Sequence, residues 1–137
     1  MLTRQDAQRV AQVKLDDARL LARQGRHASS YYLAGYAVEI ALKAAAAKTI
    51  RAETIPPRGT LDKIFTHDFR KLVAIAGLAS ELTIACRSDR FAANWAIANR
   101  WSTDSRYAMI DPFACAALLS AIVDPDDGVF EWLKKHW

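Results

Sequence analysis

The strongest indication of the fold of this 137-residue chain is the segment Tyr32-Leu33-Ala34-Gly35-Tyr36-Ala37-Val38-Glu39-Ile40-Ala41-Leu42-Lys43-Ala44. It lies in a helix predicted over residues 28–49 and is apolar around most of the helical circumference. A helix of this kind normally lies at the centre of its domain, because every face needs a neighbour. Glu39 and Lys43 are spaced i, i+4 in the favourable order, and a buried Glu39 needs such a partner. Gly35 inside the helix predicts close packing of a neighbouring helix.

The composition indicates one all-α domain. The chain is 52% hydrophobic and 25% charged, with only 5 Gly and 4 Pro. So few turn-forming residues argue against a β-sandwich, and the alanine-rich composition favours helices. The length suits one domain and allows a sizeable core. We therefore expect a single domain over residues 1–137 and no β-sheet.

Helical periodicity and capping residues predict where the other helices lie. A first helix is expected over residues 3–24, with a capping box formed by Thr3 and Asp6 and with Gly25 at its end. After a Pro/Gly loop, a short turn is expected at 61–65, followed by helices at 67–76, 78–87, 91–101, 113–123 and 129–137. The predicted N-terminal caps of the later helices are Ser29 or Ser30, Thr66, Ser80 and Asp111.

Charge is unevenly distributed along the chain. The net charge is +4, but residues 1–60 hold ten basic and five acidic residues, whereas residues 61–137 hold nine and ten. The positive field therefore comes from the first half. Two interpretations remain open, a solvated helix face and a patch that contacts phosphate.

The N-terminal region and the cysteines predict a cytoplasmic protein. Polar residues begin at Thr3 and no apolar signal segment follows, while the longest nearly apolar run, residues 40–47, is too short to span a bilayer. Cys86 and Cys115 lie far apart in sequence and are expected to be small buried hydrophobes without a disulfide.

The common catalytic and metal-binding motifs are absent from the sequence. The three histidines, His27, His67 and His136, are scattered, and none has a metal-ligand spacing to another. The dispersed glycines form no phosphate-binding loop, and no G-x-S-x-G elbow is present. We expect no metal and no cofactor.

Residues 94–107 hold the highest concentration of side chains suited to ligand binding, because they combine aromatic residues, amides and two arginines. Such a mixture can stack a base and contact phosphate. It can equally be an aromatic core seam, in which Arg106 forms an ion pair with a buried Glu39 or with Asp104.

Four segments resemble HEPN domains, a family of nucleotide-binding helical bundles in higher eukaryotes and prokaryotes. Residues 32–44 are similar to the second-helix pattern of the family, and Thr66-His67-Asp68-Phe69 is similar to its "HD" helix start. Ser105-Arg106-Tyr107 resembles its "RY" element, and Val129-Phe130-Glu131-Trp132-Leu133 resembles its closing "W-L" end. The segments occur in the order of the family and cover most of the chain.

The resemblance implies an up-and-down bundle of four to five helices with short extra helical turns, commonly a homodimer. It implies three kinds of function. Some members are metal-independent ribonucleases that act as toxins, others pair with a small nucleotidyltransferase, and others have no assigned activity.

The ribonuclease branch of the family uses an Arg followed four to six residues later by a His. No pair here has that spacing, since Arg23 and His27 are separated by three residues and Arg58 and His67 by eight. Arg100 precedes a tyrosine, Tyr107, at a suitable distance, but a phenol that titrates near pH 10 is a poor general base at neutral pH. The sequence therefore favours a module that does not cut RNA.

We predict a non-catalytic, cytoplasmic HEPN-type homodimer that binds a nucleotide or a partner protein such as a small nucleotidyltransferase, in a setting like that of toxin–antitoxin pairs. The candidate binding residues are Arg100, Trp101, Arg106, Tyr107, Glu39, Lys43 and His67. One alternative is an atypical ribonuclease in which His67 works with Arg106. Another is a purely structural dimer, whose subunit interface would use part of the aromatic surplus between Trp95 and Trp137.

Overall fold

The computed structural model describes residues 2–137, which fold into eight α-helices and contain no strand. The helices are α1 (Arg4–Arg23), α2 (His27–Ala47), α3 (Thr60–Ile64), α4 (Phe69–Ile75), α5 (Ala79–Ala85), α6 (Asp89–Ala98), α7 (Pro112–Val123) and α8 (Val129–Lys134). A 3₁₀ turn (Thr103–Tyr107) lies between α6 and α7. The prediction of an all-α bundle is confirmed. The later helices are mostly shorter than predicted, and a 3₁₀ turn occupies part of the segment before α7.

The first two helices form an antiparallel hairpin. Gly25 ends α1 with φ 73°, a left-handed conformation that glycine adopts without strain. Across the hairpin, the Ser30 hydroxyl donates a 2.6 Å hydrogen bond to the carbonyl of Ala18. Small residues spaced along α1 allow this close approach, and its buried residues are Ala7, Ala11, Leu15 and Ala18.

Helix α2 is the centre of the molecule, as its all-round apolar pattern predicted. Twelve of its 21 residues are buried. It packs against α1, α4, α7, α8 and the 3₁₀ turn, so every face of the helix has a neighbour. One hydrophobic core joins residues from these helices and α6.

Some predicted caps are confirmed and others are wrong. Thr3 and Asp6 form the expected capping box, and Asp111 caps α7. The predicted caps of three helices are wrong. Helix α2 has no side-chain cap, because the Ser30 hydroxyl is engaged by α1 and Ser29 forms no such bond. Asp68 replaces Thr66 at α4, and α5 has no side-chain cap from Ser80.

Most of the late aromatic residues belong to the core of the single chain. Trp95, Trp101 and Trp132 are each at least nine-tenths buried. Trp95 and Trp132 meet edge to face at 6.2 Å, and Trp137 packs against Phe130 at 5.4 Å. Trp95, Trp101 and Trp132 therefore need no second subunit to cover them, whereas Tyr107 and Phe113 in the same late segment remain exposed.

Candidate functional site

A buried carboxylate organises the candidate site. Glu39 lies in the middle of α2 with a side chain that is only 1% exposed. Its Oε1 accepts a 2.8 Å bond from Lys43 Nζ one turn further along the helix. The predicted pairing of Glu39 and Lys43 is therefore confirmed.

His67 supplies the second partner of Glu39. Its Nδ1 lies 2.9 Å from Glu39 Oε1 and 3.0 Å from Oε2. An ionised carboxylate only accepts hydrogen bonds, so Nδ1 carries a proton and the second ring nitrogen, Nε2, is the acceptor in the neutral imidazole. The His67 side chain is 57% exposed. The imidazole is thus oriented by a buried anion while much of its surface faces solvent.

The position of His67 follows from the start of α4. Asp68 caps this helix, because its Oδ1 accepts from the N–H groups of Arg70 and Lys71 at 2.9 and 3.2 Å. Phe69 and Leu72 are buried and anchor α4 on α2. His67 precedes the cap directly and is thereby held against the Glu39 face of α2.

His67 and two arginines line one cleft of about 520 Å³. Its polar lining residues are His67, Asp68, Arg70, Asn99, Arg100, Ser102 and Thr103. Arg70 comes from the first turn of α4, and Arg100 follows the end of α6. Neither guanidinium forms an ion pair or hydrogen bond with any residue in 2–137. Asp68 is the one acidic residue of this lining and is already engaged as a helix cap.

Arg100 also lies near the phenol of Tyr31 on α2. Burial raises the pKa of Tyr31 above its ordinary value, and the positive charge of Arg100 opposes that rise without cancelling it. The charge of Arg100 therefore also reaches Tyr31 on α2, which does not itself line the cleft.

Trp101 forms the inner wall of the cleft and is a packing residue. It is 4% exposed and stacks on Phe69 with ring centroids 5.5 Å apart, and Tyr32 lies 5.9 Å from it. Its indole lies directly against the backbone of Gly35. The close approach predicted at Gly35 is therefore real, but its partner is this ring rather than a neighbouring helix.

Arg106 does not pair with Glu39 or with Asp104, and this prediction is wrong. Arg106 is exposed, its Nε donates to the Thr103 carbonyl at 3.0 Å, and its guanidinium lies 5.4 Å from the ring of Tyr107. Lys43 and His67 satisfy Glu39 instead. Arg106 lines a different cavity from His67.

The predicted residues therefore fall into two groups. Glu39, Lys43 and His67 form one network, and Arg100 and Trp101 share the cleft with His67. Arg106 and Tyr107 lie apart, and Tyr107 is 83% exposed. Arg70 was not among the predicted site residues, although its position three residues after His67 at a helix start indicates proximity.

The described residues contain no group of three His, Cys, Asp or Glu side chains that could hold a metal ion. Cys115 is buried, and Cys86 is half-buried in surroundings that raise the pKa of its thiol, as expected of structural rather than reactive cysteines. No helix within residues 2–137 has the length and apolar character needed to cross a bilayer.

The fold and the cleft together define a helical bundle with an oriented histidine and two unpaired arginines around one opening. Comparison with protein-family models, with curated proteins and with solved structures found no match to this chain.

Proposed function

We propose that this protein is a non-catalytic HEPN-type module, acting as a homodimer, whose cleft binds the phosphate group of a nucleotide. The observation that carries the proposal is the meeting of His67, Arg70 and Arg100 around one opening. Guanidinium groups match phosphate oxygens with paired hydrogen bonds, and both arginines have this capacity free.

The proposed ligand is a free nucleotide because the cleft is small and its polar groups converge. A volume of about 520 Å³ falls in the range of small-molecule sites. Asn99, Ser102 and Thr103 add amide and hydroxyl groups that can bind a sugar or a base edge. Trp101 is too deeply packed to stack on a base, so recognition of the base would come from the polar wall.

Calorimetric titration with ATP, AMP and inorganic phosphate tests this function. We expect saturable binding that weakens roughly tenfold or more in Arg100→Ala and in Arg70→Ala, because each removes a charge-assisted hydrogen bond. Arg87→Ala is the matched control, since Arg87 is exposed and lies outside the cleft. The proposal would be contradicted by equal affinities in the wild type and its three variants. It would also be contradicted if ATP, AMP and inorganic phosphate all failed to bind.

A second candidate function is cleavage of RNA, and the Glu39–His67 pair favours it. A histidine held by a carboxylate can take a proton through its other nitrogen. In such a reaction the ribose 2′-oxygen bonds to phosphorus as His67 Nε2 accepts the hydroxyl proton. The bond between phosphorus and the 5′-oxygen breaks, and the leaving 5′-oxygen takes a proton from water. Arg70 and Arg100 would stabilise the charge on phosphate, whereas Arg106 lines a different cavity.

Incubation of the purified protein with tRNA and mRNA separates these candidates. Cleavage that disappears in His67→Gln and falls in Glu39→Gln, with both variants folded by circular dichroism, would establish the enzyme. Intact RNA after prolonged incubation would exclude it and leave binding. A matched control is His136→Gln, because His136 is not among the residues that line the cleft.

Binding of a partner protein would involve a different part of the molecular surface. Tyr107, Met109 and Phe113 are 83%, 98% and 86% exposed and follow one another closely along the chain. Exposed apolar side chains in one segment support an interface with a second copy or with a small nucleotidyltransferase. If no nucleotide binds and no RNA is cut, a purely structural dimer formed through this segment remains the function to test.

A further inference from the structure

A second cavity of about 350 Å³ lies at the N-terminus of α2, apart from the His67 cleft. It is lined by Ala28, Ser29, Tyr32, Leu33, Ser105 and Arg106. None of these residues lines the cleft that holds His67 and Arg100. Three independent features of this cavity point to an anionic ligand.

The first feature is an uncapped end of the longest helix. Arg26 occupies the cap position without a side-chain hydrogen bond, and the first backbone bond of α2 runs from Ser30 N–H to the Arg26 carbonyl. The N–H groups of residues 27–29 therefore have no acceptor among residues 2–137. Free N–H groups and the positive end of the helix dipole favour an anion at this position.

The second feature is the side chain of Ser105, which packs against this end of α2 from the 3₁₀ turn. Ser105 is 9% exposed, and its buried Oγ has no hydrogen-bond partner among residues 2–137. Buried hydroxyls are almost always paired, so an unpaired one in a cavity wall needs an explanation. A ligand oxygen in the cavity would accept its proton.

The third feature is the guanidinium of Arg106. Its Nε is bound to the Thr103 carbonyl at 3.0 Å and its charge lies over the Tyr107 ring at 5.4 Å. These two contacts hold the group in place and leave its terminal nitrogens free. Asp104, the acidic residue on the same 3₁₀ turn as Arg106, does not line the cavity. Arg26, a second basic residue, precedes α2 directly, although it does not line the cavity.

We propose that this cavity is a phosphate-binding site, in which Arg106, the Ser105 hydroxyl and the free N–H groups of residues 27–29 hold a phosphate mono- or diester. Tyr32 and Leu33 provide an apolar wall for the group that carries the phosphate. The phosphate belongs to a free nucleotide or to an RNA backbone. The site does not depend on the function proposed for the His67 cleft, because the two share no lining residue.

Nuclear magnetic resonance titration of the full chain with inorganic phosphate tests the site. We expect the backbone amides of Ala28 and Ser29 to shift and saturate, with an affinity that falls at least tenfold in Arg106→Ala. Ser105→Ala is expected to weaken phosphate several-fold, and Arg100→Ala and Arg87→Ala to leave these shifts unchanged. Repeating the titration with AMP and with a short oligoribonucleotide distinguishes the two sources, because the true source binds more tightly than phosphate alone.

Several results would overturn this site. One is the absence of saturable shifts at residues 28 and 29 in the wild-type protein. Another is equal phosphate affinity in the wild type and in folded Arg106→Ala protein. A third is a pair of results. Ser105→Ala changes the melting temperature of the protein but not its phosphate affinity, and Arg106→Ala does not change the phosphate affinity either. Loss of phosphate binding only in Arg100→Ala would support the cleft and exclude this cavity, so the two proposals can fail separately.

Discussion

At the scale of single residues, Gly35 shows how one missing side chain positions the candidate cleft. A Cβ at this position would overlap the indole of Trp101. That indole is pressed against the α2 backbone and stacked on Phe69, which belongs to α4. The position of Arg100, next to Trp101 in sequence, therefore depends on the absence of a Cβ in α2.

We expect Gly35→Ala to destabilise the protein. Helix propensity alone favours Ala over Gly by about 1 kcal/mol, but overpacking of a rigid core costs about 1–3 kcal/mol. Because Trp101 is held by Phe69 and Tyr32, the steric cost should prevail and lower the free energy of unfolding. Urea unfolding followed by circular dichroism measures the change.

The matched experiment for Gly35 is a double-mutant cycle with Trp101→Leu. The Gly35→Ala change should be neutral or stabilising when the large ring is absent, because the helix then gains propensity without a clash. An equal loss of stability in both backgrounds would mean that Trp101 is not the reason for the glycine.

The polar residues of the site were only partly predictable from sequence. The pairing of Glu39 and Lys43 follows from i, i+4 spacing on one helix, which is local geometry. The contact with His67 joins residues 28 positions apart and depends on how α4 docks onto α2. Arg106 was a wrong choice for Glu39, because the 3₁₀ turn points its guanidinium toward Thr103 and Tyr107.

At the scale of secondary structure, the turn between α7 and α8 is organised by Asp124. Its Oδ1 accepts from the N–H groups of Asp126 and Asp127 at 3.0 and 3.1 Å, and its Oδ2 lies 2.7 Å from Arg90 at the start of α6. The hydrogen bonds from Asp127 and Asp126, together with the charge of Arg90, hold the pKa of Asp124 below its ordinary value. One carboxylate thus joins three helices.

We expect the ionisation of Asp124 to make the free energy of unfolding depend on pH in the acidic range. A lowered pKa in the folded state means that the folded protein favours the ionised form more than the unfolded chain does. Its stabilising contribution is present above the unfolded pKa of about 3.9 and is lost as the pH falls through the lower folded pKa. Urea midpoints measured between pH 6 and pH 2 should fall less in Asp124→Asn than in the wild type.

The control for the acid experiment is Asp17→Asn on α1. Asp17 is exposed and forms no hydrogen bond or ion pair with the described residues, so its removal should leave the pH dependence unchanged. An acid dependence that is identical in wild type and Asp124→Asn would show that other carboxylates are responsible.

At the scale of the whole molecule, the exposed apolar surface in the late part of the chain is formed by residues before and along α7 and not by the tryptophans. The tryptophans are used inside the chain, while Met109 and Phe113 remain open to solvent at the start of α7. Helix α7 contains no charged residue, and its outward side continues with Ala116, Ala117 and Ser120. A large ring followed by small side chains on one face is suited to packing against a second copy of itself.

We expect the protein to be a dimer through this face of α7. Light scattering in solution should give the mass of two chains for the wild type and of one chain for Phe113→Asp, because a buried carboxylate would oppose association. Ile55→Asp is the control, since Ile55 is 98% exposed but lies in the loop before α3. A wild-type monomer, or a dimer that tolerates Phe113→Asp, would contradict this interface.

Features that depend on local physics can be read from the amino-acid sequence without the structure. These are the all-α class, the central position of α2, the capping box of α1, the start of α7 and the Glu39–Lys43 pair. Each follows from helical periodicity, intrinsic propensity or hydrogen bonds between near neighbours in the chain.

Contacts between distant segments became known only from the three-dimensional structure. It placed His67 on Glu39, brought Arg70 and Arg100 to one cleft, and put Ser105 and Arg106 at the open end of α2. Such contacts depend on the docking of whole helices, which is set by the packing of the entire core and is not encoded in any one stretch of residues.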